Sequence, residues 1–403
     1  MKVLQINCWF NNGSTGKIVY AIHKYLEQHG DDSYVIYGMG SKSNDAHAIR
    51  IISNIIRKAQ SFWSRITGYP YGGCWYGTMV ALKLIRKINP DIVHIQCMNG
   101  YMVNIYLILE YLKKHKIPTL ITNHAEFMYT GGCTHAVDCN KWKSGCYNCE
   151  KIGKEHPISF FFDKTKQEWE KMYHAIRGFD KICICNVSKW LTDRAIQSPF
   201  YKGYKVITVN NGLDTNIFHY TPDKELIKNI NTEGKPIVIH VTPSFDSSIK
   251  GGSHVIEMAK RIKDVLFLVI GSERDTNISM PPNIFFVGRI DYQEMLAKYY
   301  SISDVCLLTS VRETFSMVTA ESLCCGTPVV GFRAGGPETI AIPEFSSFVA
   351  QGNDDELEKK LLKMLSMNIN KKELSQVACQ QYSDQTMCKN YYNRYKEIIN
   401  NKI

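Results

Sequence analysis

With 403 residues, 44% of them apolar and 21% charged, the chain is too long for one core and suits two domains of roughly 200 residues each. No apolar stretch approaches the roughly 20 residues needed to cross a bilayer, and Met1-Lys2-Val3-Leu4-Gln5-Ile6 runs directly into a strand with no cleavable leader, so a cytoplasmic protein is expected. A formal net charge of +10 implies an anionic partner such as a nucleotide diphosphate, a lipid pyrophosphate or an acidic bilayer face, while the lack of any base-reading or base-stacking module disfavours nucleic acid.

Strand and helix signals alternate from end to end. Met1–Asn7 reads as a strand, Asn11–Gly16 as a small polar loop, Lys17–His29 as a helix and Ser33–Gly38 as a second strand. Between Ile49 and Gly77, Arg50, Arg57, Lys58 and Arg65 are interleaved at helical spacing with Ile51, Ile52, Ile55, Ile56, Phe62, Trp63 and Ile66, a basic amphipathic stretch able to rest on an anionic leaflet. Further strands are expected at Asp91–Gln96, Thr119–Asn123, Lys181–Asn186 and Val206–Val209. After the turn Asn210–Asp214 come Pro236–Val241, Leu266–Gly271, Ile284–Gly288, Asp304–Leu308, Pro328–Phe332 and Ser346–Val349. This alternation predicts an α/β protein with one doubly wound parallel sheet per domain and helices on both faces. In such a fold a ligand lies at the carboxyl ends of the strands, in a cleft where the two sheets face each other.

The richest segment is Arg312–Gly336, RETFSMVTAESLCCGTPVVGFRAGG, with Glu313 and Glu321 eight positions apart. A polar loop, Thr309–Ser316, carries a buried strand into the helix formers Met317–Cys324, Gly326 caps that helix, and Pro328 stops it before Val329–Phe332. Amides of Phe315, Ser316 and Met317 at the helix start, with its dipole behind them, suit a diphosphate. A carboxylate one turn on can accept from a ribose diol, and one in the preceding loop can reach sugar hydroxyls. Lys250-Gly251-Gly252 sits between a strand and a helix, where a lysine opposes the dipole preference unless it meets an anion there.

This pattern resembles the nucleotide-sugar site of the retaining glycosyltransferases of family 4, two-domain enzymes of the GT-B fold. The resemblance implies an N-terminal acceptor domain (1–210), a C-terminal donor domain (211–384) joined at a hinge near Asn210–Asp214, and a last helix (385–403, within the Tyr382–Ile399 stretch) returning to the first domain. It implies a donor, a UDP- or GDP-sugar, with the base against Gly288-Arg289-Ile290, the ribose on Glu321, the diphosphate on Lys250 and the amides of Phe315, Ser316 and Met317, and the sugar near Glu313 and His124. Gly13, Thr15 and Gly16 after the first strand would border the same ligand. Glu313, His124 and Lys250 are then the catalytic candidates, Lys250 stabilising the leaving group so that no catalytic metal is required. Glu126, the nearest carboxylate to His124, would serve as a base only in an inverting reaction, against the resemblance. Many family members carry an arginine where this chain has Ser244; either Lys250 and the backbone amides suffice for the diphosphate, or another cation such as Arg274, Arg289 or Arg333 reaches in.

Of fourteen cysteines, four crowd one loop: Cys133, Cys139, Cys146 and Cys149, within an insert spanning 131–150. In a reducing compartment this spacing suits a structural zinc ion better than disulfides, with His135 or His156 as substitute ligands; an iron–sulfur cluster and four reduced thiols without metal are the alternatives. The insert looks like one found in family-4 enzymes that build bacterial surface polysaccharides of colanic acid, O-antigen or capsule type. The resemblance therefore implies retaining hexosyl transfer to a saccharide acceptor, polyprenyl-diphosphate-linked, with peripheral contact at the cytoplasmic face of the inner membrane. A sugar-nucleotide epimerase of the same fold and a non-catalytic assembly partner are the alternative readings.

Overall fold

The computed structural model describes residues 1–153, 159–230, 233–273 and 279–400. They divide into two units, Met1–Asn210 with Met387–Ile403, and Asn211–Thr386.

In the first unit, strands β1 (Lys2–Trp9), β2 (Asp32–Met39), β3 (Ala48–Arg50), β4 (Ile92–Ile95), β5 (Thr119–Asn123), β6 (Ile182–Asn186) and β7 (Val206–Thr208) form one sheet in the order β3-β2-β1-β4-β5-β6-β7. Each neighbouring pair is parallel. The strands are apolar on both faces, as expected for a sheet covered on both sides; β4, β5 and β6 are buried at every position.

Strand order reverses between β1 and β4. Crossovers leave that point to opposite faces, so the carboxyl ends of β1 and β4 bound a crevice. Helix α1 (Gly13–Gln28) leaves β1 beside it, starting four residues before the helix expected from sequence. The stretch after β3 is not one long helix: Ile51 and Ile52 are buried before it begins, and α2 (Asn54–Thr67) ends at Gly68, whose φ of 76° is the left-handed cap that glycine favours. Helix α3 (Trp75–Ile88) follows.

The C-terminal stretch expected as a last helix is one, Asp384–Ile399; it follows the helix Lys371–Tyr382 after an extended Ser383. This last helix completes the first unit's core. Met387, Cys388, Tyr391, Tyr395 and Ile398 are all buried against Val3, Ile18, Leu26, Ile92 and Leu120. Buried aromatics of this size contribute about 1.5–3 kcal/mol each. Tyr395 also reaches His94 Nδ1 at 2.7 Å, and His94 Nε2 meets Thr122 Oγ1 at 2.8 Å, so the helix is keyed to β4 and β5 by a buried polar relay.

The second unit repeats the plan with β8 (Ile237–Val241), β9 (Leu266–Ile270), β10 (Ile284–Gly288), β11 (Val305–Leu308), β12 (Val329–Phe332) and β13 (Ser346–Val349), all parallel, in the order β10-β9-β8-β11-β12-β13. Here the order reverses between β8 and β11. Val238, Phe267, Val305, Leu307 and Val330 anchor its core beneath Val255, Met258, Leu357 and Leu361 of the covering helices. The expected architecture, two Rossmann-like parallel-sheet domains, is the one observed.

Candidate functional site

In the second unit the loops after β8 and β11 leave the switch point, and each carries one of the singled-out charges. Lys250 Nζ lies 2.7 Å from Glu313 Oε1, with the two side chains only 30% and 22% exposed. Backbone contacts impose this meeting. The amide of Val311 donates to Ile249 O at 2.8 Å, and Thr309 Oγ1 donates to Lys250 O at 3.0 Å. Gly251 lets the loops approach: it has φ of 70°, and a Cβ there would stand 2.2 Å from Thr309 O. A Cβ on Gly252 would stand 2.2 Å from Phe245 O. The Lys-Gly-Gly sequence is thus a close-packing device that also delivers a cation.

Glu313 is fixed from its other side. Its amide donates to Ala334 O at 3.0 Å, and the amide of Gly336 donates to Glu313 O at 2.8 Å. A Cβ on Gly336 would lie 2.5 Å from Thr314 C and O. The double glycine after β12 is therefore the wall against which the Glu313 loop folds, with Glu338 accepting from the amides of Ala334 and Gly335 at 2.9–3.1 Å.

The helix Met317–Cys324 starts at Ser316, a non-glycine residue at φ 80°, a conformation that L-residues seldom adopt and that clusters at functional sites. Ser316 Oγ accepts from Thr319 N at 3.2 Å, so that first-turn donor is satisfied within the protein, while Phe315 is core, 3% exposed. Glu321, one turn along, accepts from Tyr300 OH at 3.2 Å. That tyrosine has no sequence signal; it lies at the end of the helix Gln293–Ile302 and is buried.

Ser244 is exposed on the loop after β8, its amide donating to Thr242 Oγ1 at 3.3 Å. Of the cations considered as replacements, Arg289 is 80% exposed and pairs with Asp291 at 2.9 Å, Arg333 is exposed beyond β12, and Arg274 lies outside the described residues. Gly288 ends β10 with φ of 81°, its Cα facing the Glu273 carboxylate, and Ile290 follows it half-buried.

In the first unit, Gly13 and Thr15 open α1 and line a cavity of about 360 Å³ with Cys8, Cys97, Asn99 and Arg57, at the β1/β4 switch point. Gly16 is required for packing, since a Cβ would stand 2.9 Å from Trp9 Cβ. Arg57 has a buried Nε with no hydrogen-bond partner among the described residues; its place in a basic helix gave no hint of this.

His124 follows β5, 9% exposed, its Nε2–H donating to Gln96 Oε1 at 3.0 Å. Gln96 in turn donates to Gln5 at 2.8 Å. Burial lowers the His124 pKa to about 4, so the ring is a neutral hydrogen-bonding group at physiological pH. Glu126 is fully buried and consumed: Arg194 Nε and Tyr129 OH donate to Oε1 at 2.8 and 3.0 Å, and Ala136 N donates to Oε2 at 2.7 Å. It ties the insert, through Ala136, to Arg194 and Tyr129.

The four loop cysteines surround one cavity of about 390 Å³. Cys133 hydrogen-bonds Cys149, pulling the Cys149 thiol down and its own up, and Gly131 N donates to Cys146 Sγ at 3.2 Å. Four thiols around one cavity are a donor set whose chemistry fits a zinc ion. Among the described residues the set of three such side chains with ligand atoms within 4.8 Å of one another is instead His23, Glu27 and Asp45. There Lys24 already bridges the two carboxylates at 2.8 and 3.2 Å, which makes the group an internal ion network. His135 stands in the insert, and His156 lies outside the described residues.

Residues 223–381 match the family described as Glycosyl transferases group 1. Over 146 residues the chain is 28% identical to the N-acetyl-alpha-D-glucosaminyl L-malate synthase of Bacillus anthracis, a match covering 33% of this chain and 37% of that protein; the chain thus spans little more than a third of that relative's length. Among solved structures, the sucrose-phosphate synthase of Thermosynechococcus elongatus superposes with a TM-score of 0.70 at 16% identity over 99% of both chains. Anabaena Alr3699/HepE in complex with UDP and glucose gives a TM-score of 0.64 at 14% identity, covering 98% of this chain and 100% of that one. At these identities the likeness is one of fold.

Proposed function

We propose that the protein is a retaining glycosyltransferase of family-4 type, moving a hexose from a UDP- or GDP-sugar to a lipid-linked saccharide during assembly of a bacterial surface polysaccharide. The observation that carries this reading is the Lys250–Glu313 pair, placed at the β8/β11 switch point by glycine-enforced loop contacts, within a segment that matches group 1 glycosyltransferases. A nucleoside diphosphate offers Lys250 a stronger anion than Glu313. Taking up the ammonium, it frees the Glu313 carboxylate to accept from sugar hydroxyls, while Glu321 accepts from the ribose. The C1–O bond to the β-phosphate breaks as the acceptor hydroxyl bonds C1 on the same face. The departing phosphate oxygen takes the acceptor proton, and Lys250 stabilises the charge developing there. His124, neutral, donates or accepts a hydrogen bond and carries no charge through the step.

Thermal shift of the purified protein with UDP, GDP, ADP, CMP and their sugars tests the donor site. A selective shift by one nucleoside diphosphate is expected, and NMR of the product should show the donor's anomeric configuration kept. No shift with any of them, or an inverted product, refutes the reading. The four-cysteine cavity is proposed as a structural zinc site closing the insert. Metal content near one zinc per chain that falls in Cys146→Ser/Cys149→Ser is the expected result; iron with visible absorbance, or no bound metal, overturns it.

A further inference from the structure

We propose that one face of the first unit, built by α2, the start of α3 and residues 160–162, docks on the surface of an anionic lipid bilayer. The apolar side of α2 is not used to cover the sheet. Ser64 is its one buried residue, while Ile55 and Phe62 are 81% and 61% exposed, and Trp63 and Ile66 complete the same stripe.

Two segments remote in sequence extend it. The Trp63 ring lies over Gly73, whose missing side chain makes the room, since a Cβ there would be 2.8 Å from the ring. That contact leads to Trp75 and Met79 of α3, 63% and 71% exposed. On the other flank, Phe160 N donates to Arg65 O at 2.7 Å, holding the Phe160-Phe161-Phe162 run, with Phe161 71% exposed, against the end of α2. A soluble surface rarely presents so many contiguous aromatics unless they are covered.

Charge identifies the cover. From 46 to 90 the chain contains no aspartate or glutamate but holds Arg50, Arg57, Lys58, Arg65, Lys83, Arg86 and Lys87. A second copy of the chain meeting this face through a two-fold axis would set those cations against themselves. An anionic headgroup layer neutralises them while the aromatic rings seat at the acyl boundary, an arrangement in which each cation near the surface strengthens binding roughly fivefold. Among the described residues no helix is long and apolar enough to cross a membrane, so the contact is one of lying on the surface. Arg57 links the two roles: it belongs to α2 and also lines the cavity at the β1/β4 switch point, which places a cation between the lipid layer and the crevice. For its use in the cell the inference rests on the lipid-linked acceptor proposed above; its physics does not.

The test is co-sedimentation of the full chain with phosphatidylcholine vesicles and with vesicles that also contain phosphatidylglycerol, with nucleoside-diphosphate thermal shifts measured on the same samples. Binding to the anionic vesicles alone, weakened by salt, is expected. Phe62→Ser/Trp75→Ser should reduce partitioning by roughly tenfold or more, and Lys58→Glu by several-fold, each with an unchanged melt and an unchanged nucleotide shift. Failure of the folded wild type to bind anionic vesicles overturns the proposal, as does indifference to these substitutions, or a dimer that the double substitution dissociates. Loss of the nucleotide shift with vesicle binding intact would sink the donor reading and leave this one standing.

Discussion

Replacing Lys250 by alanine separates a functional role from a structural one. In the free protein Lys250 bonds Glu313 at 2.7 Å with both side chains partly exposed, and pairs of this kind contribute about 0.2–1 kcal/mol. For a unit of this size about 1 kcal/mol moves the melting temperature by roughly 2–4 °C, so the Lys250→Ala melt should fall by a few degrees at most. The effect on the donor is far larger. A charge-assisted hydrogen bond to phosphate contributes about 1.5–3 kcal/mol, roughly a 10- to 150-fold change in affinity, and removing a group that stabilises developing charge costs roughly 10²–10³ in kcat. Steady-state transfer with the donor selected by thermal shift should therefore show kcat/KM down by roughly 10³ or more in an enzyme that melts almost normally. Glu313→Gln should keep more diphosphate affinity than Lys250→Ala, because it releases the lysine, yet still lose turnover. Full kcat/KM in Lys250→Ala, or a melt lowered by more than about 10 °C, would refute the assignment, the first outcome by removing Lys250 from the chemistry and the second by making it a fold residue.

Three further outcomes follow from the geometry. Gly251→Ala forces a Cβ to 2.2 Å from Thr309 O at φ 70° and should cost about 2 kcal/mol or more of stability together with nucleotide binding; a variant that melts and binds like wild type would show that the loops are not held by that approach. Glu126→Ala leaves Arg194 unpaired beside a buried site and should lower stability by about 3–5 kcal/mol without altering the stereochemistry of any product, as checked by chemical denaturation and NMR. His124 and His240 are both lowered to about 4 by burial, so the unfolded chain takes up protons that the folded one does not. Stability is complete above about pH 6.5 and falls as pH drops toward 4, by up to about 3 kcal/mol per histidine; melting temperatures flat from pH 7 to 5 would contradict this.

Much of the molecule is local. Alternating apolar runs and helix formers determined both sheets, because a buried parallel strand needs only a short apolar stretch between turn signals. The spacing of Glu313 and Glu321, the Lys250-Gly251-Gly252 run and the double glycine Gly335-Gly336 marked a candidate site for a similarly local reason: helix starts and close backbone approaches are written in a few adjacent residues. The clustering of Cys133, Cys139, Cys146 and Cys149 around one cavity was legible in the same way.

Tertiary structure decided what depends on residues far apart in the chain. Lys250 and Glu313 become partners only because β8 and β11 are neighbours across a crossover, and Tyr300 holds Glu321 from a different helix. In the sequence Glu126 is simply the carboxylate nearest His124; the fold closes Arg194, Tyr129 and Ala136 around it. The basic amphipathic stretch was visible as a pattern, but periodicity reports that a helix has an apolar side and not what that side meets. Only the folded chain turns Phe62, Trp75 and Phe161 outward together, because burial is set by the whole surface of the neighbours and no single segment encodes it.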